Sequence, residues 1–161
     1  MSYLSKGQIN TVDLIVSLMI FIMVLTIGLT VWNTSYARIN DLEATRNAHE
    51  NAYFVTNELV KGPGAPTNWN SSNVIQIGLA DKQNVVTFSK WNELHKFANT
   101  TISAQLGVTT YNAYLVLKRT DGTIIDWVGL PTNSSTRLAA VMLSYVVFNS
   151  TVVKLEVTVW Q

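Results

Sequence analysis

An uncharged apolar run from Leu14 to Val31 constrains this chain more than any other feature. At ~1.5 Å per residue, roughly 18 residues make a helix nearly as long as a bilayer core is thick. In water such a helix exposes apolar surface on every side. Burying a large side chain contributes roughly 1.5–3 kcal/mol, so the gross sum over the run reaches tens of kcal/mol. The run therefore belongs in lipid or among other helices. A polar leader, Met1–Gly7, precedes it and ends in Lys6-Gly7; Gln8-Ile9-Asn10-Thr11-Val12-Asp13 then leads into the run. A secretory signal peptide places its cleavage site after its apolar region. Here the processing-like junction, Gly7–Gln8, lies before it. A chain cut at that point keeps its apolar helix and must still bury it.

The flanks set an orientation. Lys6 is the only charge ahead of Asp13. The positive-inside rule keeps that short end cytoplasmic and sends the remainder outside. Only 13% of residues are charged, about half the usual share. Asn, Ser and Thr are abundant in their place, which leans toward an extracellular surface. A net charge of +1 offers no electrostatic case for nucleic acid. The absence of cysteine excludes disulfides, thiolate chemistry and Cys-based zinc sites.

Beyond Val31 the helical signal continues. No Pro or Gly interrupts Trp32–Val60. Ile39, Leu42, Ala48, Ala52, Val55 and Leu59 recur at three- and four-residue steps, with Arg38, Asp41, Glu43, Arg46 and Glu50 between them. The spacing predicts one helix from about Thr11 to about Val60, roughly 70–75 Å long. Its first half is apolar all round. Its second half carries an apolar face expected to pack on the chain's own domain. Lys61-Gly62-Pro63-Gly64-Ala65-Pro66 ends it, with a cation in the last turn, then Gly, then Pro.

After this loop the period shifts toward two. Val74–Leu79 and Val85–Phe88 read as short strands. Lys90–Phe97 reads as a short helix with Ser89 as N-cap, and Ile102–Leu106 as a further helical turn ending at Gly107. Tyr111–Lys118 and Thr123–Trp127 flank Asp121-Gly122, a hairpin signal. Val153, Leu155, Val157 and Val159 alternate with polar residues as the last strand. Val141–Phe148 fits a buried central strand beside it, although Leu138–Leu143 alone is equally helical in pattern. The expected class is α+β: a long N-terminal helix packed on a small antiparallel β-sheet head, a lollipop in outline. The division is a leader at 1–7, a helix at 8–60 and a β-rich extracellular head at 61–161.

The candidate chemistry is thin. His49 and His95 have no third partner at metal-ligand spacing, so no metal or cofactor is expected. No Ser-His-Asp order, phosphate-binding loop or carboxylate pair stands out, and no enzyme is expected. Asp121 is accounted for by its turn. Trp69, Trp91, Trp127 and Trp160 are either sugar-stacking platforms or packed residues, the second being commoner. Asn-X-Ser/Thr sequons begin at Asn33, Asn70, Asn99, Asn133 and Asn149. Asn70, Asn99 and Asn133 fall in expected loops and are the N-glycosylation candidates. Asn33 lies hard against the apolar helix and Asn149 in a tight turn. Thr26 and Gly28 either let helices approach closely or merely relax packing. Asp13 has two readings: an assembly contact with a neighbour's N-terminus, or a capping-box partner of Asn10 that suits the helix dipole.

The order of leader, Lys6-Gly7, Gln8, short polar stretch, acid and uninterrupted apolar helix resembles the class III signal peptide of archaeal type IV pilin-like proteins. The loop Gly62-Pro63-Gly64-Ala65-Pro66-Thr67-Asn68-Trp69 and the closing Leu155-Glu156-Val157-Thr158-Val159-Trp160 are similar to stretches of small archaeal proteins with this leader. The resemblance implies that a membrane peptidase recognises Lys6 and Gly7 and leaves Gln8 as the new N-terminus. It further implies that assembly machinery draws the helix from the membrane into a homopolymeric surface filament, with adhesive, glycan-bearing heads outermost. Such pilins commonly carry Glu at the fifth mature position, where its carboxylate pairs with a neighbour's α-amino group. Here Val12 is fifth and Asp13 sixth. The competing expectation is a membrane-tethered extracellular binding module, or minor pilin, that never polymerises.

Overall fold

In the computed structural model one helix, α1, runs unbroken from Leu4 to Lys61. Residues 4–97 and 101–161 are described, with side chains from Thr11 onward. The helix begins earlier than the expected Thr11, because nothing in Leu4–Asn10 stops it; a lone Gly costs only about 1 kcal/mol. They divide into two compact units, one ending at Glu43 and the other spanning Ala44–Gln161.

The first unit is helix alone. Its side chains from Thr11 to Glu43 are all exposed. The second unit holds the core. There the last turns of α1 bury Ala48, Ala52, Val55 and Leu59, a three- and four-residue rhythm that puts them on one face. These four residues belong to the same hydrophobic core as the buried residues of the sheet. Ile39 and Leu42, expected on the same buried face, are 53% and 70% exposed. The core-facing stripe therefore starts at Ala48, within the second unit.

The loop that ends α1 is held by its own backbone. Gly62 N–H donates to Glu58 O at 3.0 Å and Leu79 N–H to Leu59 O at 3.0 Å. Ala65 and Gln76 form an isolated antiparallel bridge. This corrects the strand expected at Val74–Leu79. Its apolar residues Ile77 and Leu79 anchor in the core, while its backbone pairs with the helix end and the Gly-Pro loop instead of a ladder. The Trp69 indole N–H donates to Gly78 O at 2.7 Å, so Trp69 packs the loop and offers no sugar platform. Lys90 reaches back to the same region, donating to Pro63 O at 2.7 Å and Ala80 O at 3.1 Å.

The sheet is six-stranded in the order β1-β2-β5-β6-β3-β4, with β1 Ala80–Lys82, β2 Val85–Val86, β3 Asn112–Arg119, β4 Ile124–Gly129, β5 Ala139–Phe148 and β6 Thr151–Trp160. It is mixed, not purely antiparallel as expected. β2 runs parallel to β5, pairing Val85 with Val147 and Val86 with Phe148. A parallel pair needs a long crossover, and the chain between β2 and β5 supplies one. Inside it lie α2, Phe88–Leu94, and α3, Ile102–Gln105. α2 starts two residues before the expected Lys90 and its N-cap is Thr87, not Ser89. Phe88 leaves the strand because its ring packs against Phe148, with centroids 5.8 Å apart.

The two long hairpins match their sequence signals. Gly122 adopts φ 93° between β3 and β4, and the Asp121 carboxylate accepts from Thr123 N–H at 2.8 Å. That bond holds the Asp121 pKa below its ordinary value. Asn149 and Ser150 both have positive φ between β5 and β6, the geometry of a two-residue type I′ turn. β5 is a strand throughout, which resolves the ambiguity of Leu138–Leu143. It is central in the hydrogen-bond order yet half open. Ala140, Val146 and Phe148 point into the core, whereas Val141, Leu143 and Tyr145 are exposed. An apolar run read as doubly buried is thus buried on one side only.

Candidate functional site

The first unit contains one helix long and apolar enough to cross a membrane, and none of its best window is buried within the chain. Leu14, Ile20, Phe21, Leu25, Leu29 and Val31 are all at least half exposed. Such a surface far exceeds what monomeric soluble proteins leave open. Three of its hydroxyls are bonded within the helix. Thr26 Oγ1 donates to Ile22 O at 2.7 Å, Thr30 Oγ1 to Thr26 O, and Thr34 Oγ1 to Thr30 O and Val31 O at 3.0 Å each. These internal bonds remove the need for water, which suits a helix meant for lipid or for other helices. Gly28 has open space around it. It leaves a flat spot on the helix that no part of the chain uses.

Asp13 is exposed within the helix. Because α1 continues back to Leu4 through Asn10, Asn10 is no N-cap and the capping-box reading fails in the uncut chain. Lys6, Gly7 and Gln8 lie on the helical backbone; their side chains are outside the described residues. Asn99 is likewise outside them. Asn70 and Asn133 are exposed in loops, as expected. Each carboxamide oxygen accepts from a backbone N–H two residues on, Ser72 at 2.9 Å and Ser135 at 2.9 Å. These Asx turns fold the sequon into a compact, outward loop. Asn33 is exposed on the helix and Asn149 in its turn.

In the second unit one polar cluster was missed from sequence. The buried Trp91 indole N–H donates to Asp126 Oδ2 at 2.8 Å, and His95 Nε2 lies 2.8 Å from the same oxygen. Trp91 and His95 are one helical turn apart on α2, and Asp126 is on β4, so the cluster ties the crossover to the sheet edge. The signal for it was the i,i+4 spacing of an aromatic and a His, which sequence alone cannot connect to a distant Asp. Burial pushes the Asp126 carboxyl up, but the bonds from Trp91, His95 and Trp127 N–H together outweigh it and hold its pKa below the ordinary value. A depressed carboxylate pKa contributes stability that is present above the unfolded value near ~3.9 and disappears as pH falls through the folded value. Asp126→Asn is therefore expected to flatten the acid limb of the stability profile below about pH 4. Asp126→Ala is expected to cost about 1–3 kcal/mol at neutral pH, since it strands a buried N–H. Urea midpoints between pH 3 and pH 7 read both; an unchanged acid limb in Asp126→Asn counts against the assignment.

His49 is exposed on α1, and no group of three metal-ligating side chains occurs among the described residues. A groove of about 380 Å³ lies between the end of α1, Ile75–Ile77 and the segment Ala104–Gly107. Its Glu58 and Gln76 side chains bond each other at 2.5 Å, so they do not converge on a ligand. Trp91 and Trp160 are buried, Trp160 donating to Leu130 O at 2.8 Å. Of the four tryptophans weighed as platforms only Trp127 is exposed, with Tyr114 beside it at 5.8 Å between centroids. No family model, curated protein or solved structure matches this chain.

Proposed function

We propose that this chain is a structural subunit of an archaeal type IV pilus-like cell-surface filament. A leader peptidase removes Met1–Gly7 on the cytoplasmic side, and the membrane holds the precursor through Leu14–Val31. Assembly then transfers that helix from lipid to a bundle of identical helices, so its apolar burial is kept. The second unit faces solvent, where its amides, hydroxyls and the loops at Asn70 and Asn133 form the coat. The observation that carries this reading is the exposure of the whole apolar helix, with the hydroxyls of Thr26, Thr30 and Thr34 bonded within it, together with a second unit that has a full core of its own. The junction Lys6-Gly7-Gln8, on the side of the helix that preserves it, adds the processing step.

Mechanical shearing of producing cells tests this. The chain is expected in the shed fraction, with Gln8 as its first residue by N-terminal sequencing. A chain that stays with membranes after shearing is instead a tethered binding module. A shed chain beginning at Met1 contradicts the leader assignment.

A further inference from the structure

Two apolar surfaces outside the Leu14–Val31 segment stand exposed among the described residues. The first is a ridge on the first unit. Trp32, Tyr36, Ile39 and Leu42 follow one another at three- and four-residue steps and are all more than half exposed. Trp32 and Tyr36 suit the interfacial belt of a membrane. Ile39 and Leu42 do not, because they lie about 10 and 15 Å further along the helix, among Arg38, Asp41 and Glu43. A bilayer that holds Leu14–Val31 does not reach them.

The second surface is the exposed side of β5. Cross-strand register places Val141 beside Thr158, Leu143 beside Glu156 and Tyr145 beside Lys154, and then Val116 between Glu156 and Trp127; Thr158 and Val116 are buried, so the exposed apolar strip follows β5. Val141, Leu143 and Tyr145 are exposed along it. Lys118 and Glu156 bond each other there at 2.7 Å, while the Lys154 ammonium lies 6.0 Å from the centre of the Tyr145 ring. The opposite face of this sheet already has helix residues against it in the shared core. Layered α+β folds bury a second apolar sheet face under another element.

Resting on the filament reading above, we infer that the ridge Trp32–Leu42 of one copy packs on the Val141–Leu143–Tyr145 face of a second copy. The pairing is chemically matched: a convex apolar ridge meets the exposed apolar side of β5, and Glu43 beside Leu42 meets Lys154 beside Tyr145, whose ammonium donates one bond to Thr120 O at 3.1 Å and has further N–H groups to offer. It also closes both surfaces with a single repeated contact. A ridge-on-ridge or face-on-face dimer covers one surface and leaves the other in water. Because ridge and face are different surfaces, the contact is heterologous, and a heterologous contact that does not close into a ring propagates as a filament.

The absence of native cysteine makes cross-linking specific. Leu42 and Leu143 are both exposed, so replacing them places no demand on folding. Filaments sheared from cells producing the full chain with Leu42→Cys and Leu143→Cys together are treated with a bismaleimide spanning roughly the 10 Å between packed layers. The expected result is a ladder of dimer, trimer and higher species on a denaturing gel, with each single variant remaining monomeric. Ile39→Cys with Tyr145→Cys, a second pair on the same surfaces, is expected to give the same ladder. Sheared filaments in which both double variants stay monomeric overturn the contact and leave the filament reading standing. A dimer formed by Leu42→Cys alone also overturns it, in favour of ridge on ridge. A chain that sheds no filament removes the reading beneath it.

Discussion

Replacing Gly7 with Val is expected to leave the chain at its full length, in the membrane, with no surface filament. The proposed peptidase must bring the Gly7–Gln8 bond into its site, and a β-branched side chain next to the scissile carbonyl obstructs that approach. α1 runs straight through this bond, so its backbone is also engaged in helical hydrogen bonds that cleavage must open. Val is a somewhat better helix former than Gly, so the helix survives and the obstruction is the main change. Mass spectrometry of the membrane fraction is expected to show the uncut chain, and shearing to release none of it. Gly7→Ala keeps a small residue at the junction and is expected to be processed. If Gly7→Val yields a mature chain starting at Gln8, the junction has been misread. If it is uncut yet shed as filament, cleavage is not required for assembly. This experiment separates the two anchors that apolarity alone cannot tell apart, since a plain signal anchor is indifferent to Gly7.

Gly78→Ala is expected to destabilise the second unit by about 3 kcal/mol, lowering its melting midpoint by roughly 10 °C. A Cβ at Gly78 runs into the carbonyl oxygen of Gly62 and the amide nitrogen of Gly64. Both are backbone atoms in the loop that stops α1, so no side chain can swing aside. Relief requires that loop to move, and the bonds from Ala80 N–H to Gly62 O and from Trp69 to Gly78 O move with it. The buried residues Trp69, Trp91 and Trp160 supply the fluorescence signal in detergent. Gly28→Ala is the control. Its added Cβ meets open space, and Ala is the better helix former by about 1 kcal/mol, so the second unit should melt as before. Gly78→Ala melting with the parent chain would show that the loop does not brace the helix end.

Residues with strong local preferences were legible without tertiary structure. The Lys61–Pro66 stop, the Asp121-Gly122 turn and the alternation of β6 depend on neighbours within a few positions. Where contacts over long stretches compete, the local pattern misleads. Val74–Leu79 has strand composition, but its backbone is claimed by Leu59 near the helix end and by Ala65 in the loop that follows. Phe88 continues a β pattern until Phe148 offers it a ring to pack on. The parallel pairing of β2 with β5 joins residues some sixty positions apart along the chain, and no periodicity encodes that. The Trp91–His95–Asp126 cluster is of the same kind.

The apolar segment Leu14–Val31, its unbroken continuation as helix and the position of Lys6-Gly7-Gln8 ahead of it were decided by the sequence alone, because helix continuity and hydrophobicity are local properties. Only tertiary structure decided where that helix stops being open surface. Ala48 begins the stripe that joins the core, while Ile39 and Leu42, in the same rhythm, stay exposed. Only it showed that β5 has a bare side, since an apolar run does not say how many of its faces find a partner. Burial depends on which distant residues arrive, and that is a property of the fold.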